Sequence, residues 1–209
     1  MDIGRLLDRY ARLLSLGGGL ITALALALDM RWLAHPVATL VVTGGVVILR
    51  ASPVRLSKYS YLTQSGVAVL VGAVTVGPSP VVAALYLGVL LSDIGWLRKL
   101  PRAGFINAGR EVIGFTAAFG PYAAVHALTG SPVLSLELLP AAAVLACLYF
   151  FTTRVLFYFT LLVRDKLEHA EKILILRWEI IAYLLTLFAA LVTVAALRTL
   201  SPVGWVAVA

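Results

Sequence analysis

Long apolar stretches, separated by short polar connections, constrain this chain more than any other feature of its sequence. Each stretch approaches the roughly 20 apolar residues that an α-helix needs to cross a bilayer. They predict an all-α fold, a polytopic transmembrane helix bundle of about seven spans. The predicted spans cover residues 13–30, 36–49, 59–76, 80–97, 106–128, 136–163 and 173–197.

Composition excludes a soluble fold of this length. Hydrophobic residues make up 61% of the 209 residues and charged residues 13%, whereas a soluble domain averages about 45–50% and about 25%. A soluble protein could not bury so much apolar surface, so the lipid bilayer is the predicted partner. We expect an amphipathic cytoplasmic segment over residues 1–12 and a single transmembrane domain over residues 13–209.

Lysine and arginine are distributed unevenly among the connections, which predicts the orientation of the chain. Four connections, including the N-terminal segment, are basic, and the intervening ones hold only Arg31, with Arg198 following the last span. The positive-inside rule then places the N-terminus in the cytoplasm and accounts for the net charge of +7 without a nucleic-acid partner. The inner charges are Arg5, Arg9, Arg12, Arg50, Arg55, Lys58, Arg98, Lys99, Arg102, Arg164, Lys166 and Lys172.

The C-terminal residues 201–209 read as the first turns of a further span. Pro202 suits the first turn of a helix, and Trp205 suits a membrane interface. This pattern favours an N-terminal fragment of a longer protein. The alternative is a short hydrophobic tail at the outer interface.

Motifs of soluble enzymes are absent from the sequence. There is no GxGxxG, P-loop, HExxH or GxSxG pattern, and Cys147 is the single cysteine. His35 and His126 are predicted near the outer face and His169 in an inner loop, without further ligands near them in sequence. We therefore predict no cofactor, no metal site and no catalytic residue, and expect no catalytic activity in this chain itself.

Ionisable side chains inside the predicted spans are the strongest candidates for function, because charges in lipid are costly and usually face a bundle interior. Arg154 and Glu179 lie at similar depths on consecutive spans, so they are predicted to pair. Gln64 enters the third span at a comparable depth, and Tyr158 and Tyr183 could donate hydrogen bonds. The predicted inner-leaflet cluster comprises Asp93, Asn107, Arg110, Glu111, Arg154 and Glu179.

Several interpretations of this cluster stay open. It could be an ion-pair network that sets helix register, a ligand or coupling site that relays a change to the cytoplasm, or a proton or ion path. Gln64 could join it or bond a neighbouring helix. An enzyme site is the weakest interpretation, because no nucleophile or metal set accompanies the charges.

One long stretch of the sequence resembles a known family. Its features are the Gly77-Pro78 turn between apolar helices, the helix end LGVLLSD, a basic loop and the helix entry FINAGR, followed by LYFFTTRVLFYFTLLV, LRWEIIAYLLTLFAALV and SPVGW. Over residues 60–209 this order resembles the N-terminal multi-span membrane region of bacterial HD-GYP or GGDEF signalling proteins. The residues that match are Asn107, Arg110, Arg154, Trp178 and Glu179.

The resemblance implies a sensory or anchoring input module in the bacterial inner (cytoplasmic) membrane, with a cytoplasmic output domain C-terminal to it. The HD, GYP and GGDEF motifs themselves are absent, so no catalytic residue carries over. A possible homodimer and a partner subunit stay open. The alternatives are a small substrate-binding membrane subunit of a transporter and an inner-leaflet lipid-modifying enzyme that would use Asp93, Glu111 or Glu179 as acid or base.

Overall fold

A computed structural model of the chain describes residues 3–55, 61–130, 136–164 and 169–199. A π-helical turn, Leu91–Trp96, continues the fifth helix, and a 3-10 turn, Leu136–Leu138, precedes the seventh. Two short strands, β1 (Val54–Arg55) and β2 (Tyr61–Leu62), pair antiparallel. The α-helices in chain order are α1 (Ile3–Leu28), α2 (Arg31–Ala34), α3 (Pro36–Ala51), α4 (Gly66–Thr75), α5 (Pro78–Leu90), α6 (Pro101–Thr129), α7 (Leu139–Arg164) and α8 (His169–Thr199).

Five of these helices are long and apolar enough to cross a membrane, fewer than the seven spans predicted. They are α1, α5 with its π-helical turn, α6, α7 and α8. The predicted second span is α3, a shorter apolar helix of 16 residues. The predicted third span, residues 59–76, is wrong at its start, because Tyr61–Leu62 pairs with β1 and α4 spans only 10 residues.

Two further expectations concern the two ends of the chain. Most of the expected N-terminal segment, residues 1–12, forms the first part of α1, which runs unbroken from Ile3 to Leu28. The suggested start of another span in residues 201–209 lies outside the described residues.

Helix α5 lies at the centre of the bundle and packs against α1, α3, α4 and α6. It is apolar all round, as a helix buried on every side must be. In the most apolar stretch of α5 and its π-helical turn, 61% of residues are buried, whereas the other four long helices bury 17–28%. Those four helices therefore present most of their apolar surface outward, as lipid contact requires.

A glycine contact joins α1 to α6. A Cβ atom on Gly18 would lie 2.1 Å from Gly109 Cα, and one on Gly109 would lie 2.0 Å from the carbonyl oxygen of Leu14. The two backbones touch, as small residues allow in membrane helices.

An arginine lies against the turn between α4 and α5, at the end of the bundle opposite to the basic connections. Gly77 has φ of +101°, and a Cβ there would lie 2.5 Å from an Arg31 guanidinium nitrogen. Arg31 Nε also donates to Asp29 Oδ1 at 2.9 Å. Partial burial alone would raise the pKa of Asp29, but hydrogen bonds from Arg31 outweigh it and hold the pKa below its usual value. The carboxylate is therefore ionised and bonded to Arg31 at neutral pH.

Candidate functional site

A buried arginine–aspartate pair forms the centre of the polar cluster. Arg50, at the end of α3, is 4% exposed, and Asp93, in the π-helical turn, is fully buried. Arg50 Nε donates to Asp93 Oδ1 at 3.0 Å and Nη2 donates to Oδ2 at 3.1 Å. This two-point contact is the strongest geometry available to an ion pair, and it ties α3 to the end of α5.

Asp93 accepts two further hydrogen bonds. Lys99 Nζ donates to Oδ1 at 2.9 Å, and Asn107 Nδ2 donates to Oδ2 at 2.7 Å. The π-helical turn is closed by Leu97 N, which donates to the Ser92 carbonyl at 2.8 Å. The carboxylate is thus fully occupied, and it binds α3, α5, the basic loop and α6 together.

Glu111, on α6, is the second carboxylate of the cluster. Its Oε1 accepts from Arg110 Nη2 at 3.1 Å and lies 3.7 Å from Arg50 Nη1, and its Oε2 accepts from the Tyr149 hydroxyl at 2.8 Å. Arg110 also lies over the ring of Phe157 at 5.0 Å. Glu111 therefore links the arginine–aspartate pair to α7.

The predicted pair between α7 and α8 is present. Arg154 Nη1 lies 3.4 Å from Glu179 Oε1, and the Tyr158 hydroxyl donates to Glu179 Oε2 at 2.7 Å. Glu179 is fully buried, although it sits on a helix that is otherwise largely exposed. Arg154 also lies over the ring of Phe150 at 5.6 Å from its centroid.

Two other side chains fix α8 in place. The Thr186 hydroxyl bonds Gln64 Oε1, so Gln64 contacts α8 rather than the carboxylates. The Tyr183 hydroxyl donates to the Ala146 carbonyl on α7 at 2.6 Å. We call Glu179, Tyr183 and Thr186 the α8 latch, because these polar groups of α8 bond directly to its neighbours.

A small cleft lies where these groups meet. Its walls include Glu111, Tyr149, Arg154 and two latch residues, Tyr183 and Thr186. Its room of about 30 Å³ matches about two water molecules. The cleft therefore has room for water or a small ion.

The sequence analysis predicted the carboxylates of this cluster but did not include Arg50. Its position beside the basic loop made it look like a topology determinant, whereas it is among the most buried polar residues described. The feature that could have predicted its burial is its position at the end of an apolar run. It lies one helical turn after Val46, whose side chain is fully buried. Arg50 thus shares the inward face of α3.

The described residues hold no group of three or more His, Cys, Asp or Glu side chains that could bind a metal ion. His126 stacks on Tyr122 at 5.8 Å, and His35 lies between α2 and α3. The side chain of His169 lies outside what the structure describes.

The apolar helices and their buried ionic cluster define an α-helical membrane protein of the multi-helix bundle class. No protein-family model matches the sequence, and neither a curated protein nor a solved structure is found to be similar to it.

Proposed function

We propose that this protein is the membrane-embedded sensory or anchoring input module of a bacterial signalling protein, relaying to a cytoplasmic output domain. The observation that carries the proposal is the α8 latch. Helix α8 packs chiefly on the short α4, and its apolar side chains are largely exposed, yet it buries the carboxyl group of Glu179. A peripheral helix that buries only part of its surface, with Ile175, Ala182 and Ala190 among its buried side chains, can change position without dismantling the core, as a relay element must.

The arginine–aspartate pair has a different part in this proposal. The hydrogen bonds of Asp93 to Arg50 and Asn107 join α3, the π-helical turn after α5 and α6 to one another. Two latch residues, Tyr183 and Thr186, line the same cleft as Glu111. A change in the cleft would therefore act on α8 first.

The proposal includes a cytoplasmic N-terminus in the bacterial inner membrane and seven crossings, and an eighth crossing after them would return the chain to the cytoplasmic side where the output domain lies. The even alternation of basic and non-basic connections supports this arrangement. Helices α3 and α4 would then cross as short or thinned segments, which a bilayer accommodates at modest cost.

Labelling of single cysteines tests the topology. In a Cys147→Ser background, Ser52→Cys would place a thiol at the basic end and Thr129→Cys one at the opposite end, where both native residues are exposed. In intact cells, a membrane-impermeant maleimide should label position 129, and position 52 only after permeabilisation. The reverse pattern would contradict the proposed orientation.

The mass of the native gene product tests the presence of an output domain. With an N-terminal tag in its own host, the product should run well above the 22.3 kDa of this chain. A band near that mass would contradict the signalling proposal and turn the search toward a transported ligand or a partner subunit.

Activity of the native product tests the relay itself. Glu179→Gln should change its phosphodiesterase or cyclase activity several-fold, because the latch loses its charge. Arg177→Gln, on an exposed position of the same helix, is the matched control and should leave activity unchanged. Equal activity in both variants would leave an anchoring role and exclude a relay through the latch.

A further inference from the structure

Two exposed arginines on neighbouring helices are held together by one carboxylate. Arg12 Nη2, on α1, lies 2.7 Å from Asp8 Oδ2, and Arg102 Nη2, at the start of α6, donates to Asp8 Oδ1. The two arginine side chains are 73% and 66% exposed. The shared carboxylate therefore holds two accessible guanidinium groups side by side at the basic end of the bundle.

Most of the hydrogen-bond donors of these guanidinium groups point elsewhere than to the carboxylate. A guanidinium has five N–H donors in one plane, and each arginine uses its Nη2 alone in the contact with Asp8. Both oxygens of Asp8 are occupied, and the three side chains together carry one net positive charge. Guanidinium groups bind phosphate oxygens through paired donors, so this arrangement suits a phosphate group.

The start of α6 adds positive potential at the same place. Arg102 is the second residue of this 29-residue helix, and the N-terminal end of a helix carries partial positive charge. Trp96, 72% exposed, lies in the π-helical turn shortly before it. Tryptophan favours the headgroup level of a bilayer, so a phosphate bound here would lie at the depth of lipid headgroups.

A row of exposed leucines continues from the arginine along α1. Leu16, Leu20 and Leu24 follow Arg12 at intervals of four residues and are 73%, 62% and 50% exposed. Side chains four residues apart are neighbours on the surface of a helix. The row ends about 18 Å from Arg12 along the helix axis, close to the roughly 15 Å that one leaflet contributes to the hydrocarbon core. An acyl chain below a headgroup at Arg12 would therefore contact these leucines.

From these features we propose that the basic end of α1 and α6 binds one anionic phospholipid. Arg12 and Arg102 hold its phosphate, and an acyl chain lies along the leucine row. Asp8 is a positioning residue that keeps the two guanidinium groups together. A zwitterionic lipid binds less well, because its cationic group offsets the attraction of its phosphate to the arginines. The site concerns lipid binding alone, and it stands whether or not an output domain is attached.

Native mass spectrometry of the full chain in detergent tests the site. Phosphatidylglycerol should form a one-to-one complex with a dissociation constant at least about tenfold lower than phosphatidylcholine with the same acyl chains, since one extra unit of charge meets two arginines. Equal binding of the two lipids would overturn the proposal. Excess glycerol phosphate, which has the phosphate but no acyl chain, should displace little of the lipid. Full displacement would show that the arginines take a free phosphate ester rather than a lipid.

Variants locate the bound lipid. Arg12→Gln and Arg102→Gln should each weaken phosphatidylglycerol binding about fivefold, and the double variant about 25-fold. Both side chains are exposed, so the variants should fold as the parent does. Arg177→Gln is the matched control, because this exposed arginine lies on α8, which packs on α4. An equal loss in the control would mean that the lipid responds to overall charge and would contradict the site.

Lysine substitutions separate a built site from general attraction. The double variant Arg12→Lys, Arg102→Lys keeps both charges but loses the planar pair of donors that matches phosphate. It should weaken phosphatidylglycerol binding several-fold. Unchanged binding in this variant would show that charge alone attracts the lipid, and the paired-guanidinium site would be wrong.

Discussion

Arg50 and Asp93 lie 43 positions apart in the chain and meet through two hydrogen bonds of 3.0 and 3.1 Å, both side chains almost fully buried. One residue ends α3 and the other lies in the π-helical turn after α5. The pair therefore determines where two apolar helices stop relative to each other, which apolar packing alone leaves loosely specified.

Removing one member of this pair should destabilise the protein strongly. Arg50→Ala or Asp93→Asn should each cost about 3–5 kcal/mol of unfolding free energy, because the remaining charge stays buried without its partner. The double variant Arg50→Met, Asp93→Leu should recover part of that loss. Unfolding in a detergent titration measures all three.

The exposed ion pair of Arg12 and Asp8, one helical turn apart on α1, is the control for that experiment. Arg12→Ala should change the unfolding free energy by less than about 1 kcal/mol, because a solvated ion pair contributes little. Equal losses at Arg12 and Arg50 would contradict the structural role of the buried pair.

A methyl group at Gly18 should separate α1 from α6. We expect Gly18→Ala to lower the unfolding free energy by about 1–3 kcal/mol or more, because the added Cβ would overlap the Gly109 backbone. Gly44→Ala, in α3, is the matched control, since a Cβ there meets nothing within 4 Å. That variant should be neutral or slightly stabilising, and a loss equal to that of Gly18→Ala would contradict the close helix contact.

Substitution of Gly77 should disrupt the turn between α4 and α5. Gly77→Ala must adopt φ near +101° and displace the Arg31 guanidinium, so the melting temperature should fall. Gly95→Ala, where a Cβ has open space, should leave the melting temperature nearly unchanged. If the two variants melt alike, the turn does not have the conformation described.

Loss of charge at Glu179 should loosen the α8 latch. Glu179→Gln leaves Arg154 without its carboxylate, so the melting temperature should drop, whereas Arg177→Gln on the exposed side of α8 should not lower it. Adding Arg154→Met to Glu179→Gln should restore part of the loss, because the unpaired charge is removed. If the double variant melts at a lower temperature than Glu179→Gln alone and Arg154→Met alone, the two side chains do not pair directly.

Much of the site was predictable because hydropathy and charge act locally. Arg154 and Glu179 lie on consecutive helices joined by a short connection. Their similar depth in the membrane was therefore enough to predict that they pair. Asp93, Asn107 and Glu111 were likewise predicted to cluster. The sequence did not predict that the arginine–aspartate pair would lie apart from the cleft at Arg154, because that depends on which faces of α3, α5 and α6 meet.

The sequence by itself determined the solvent of this protein, its helical class and the approximate position of its long helices, because the cost of placing a residue in lipid is nearly additive along a segment. Tertiary structure decided the burial of Arg50, the π-helical turn that aims Asp93 inward, the contact of Gly18 with Gly109 and the shortening of α4. Each of these depends on atoms brought together from distant segments, and the steric fit and ion pairing between them leave little trace in local composition.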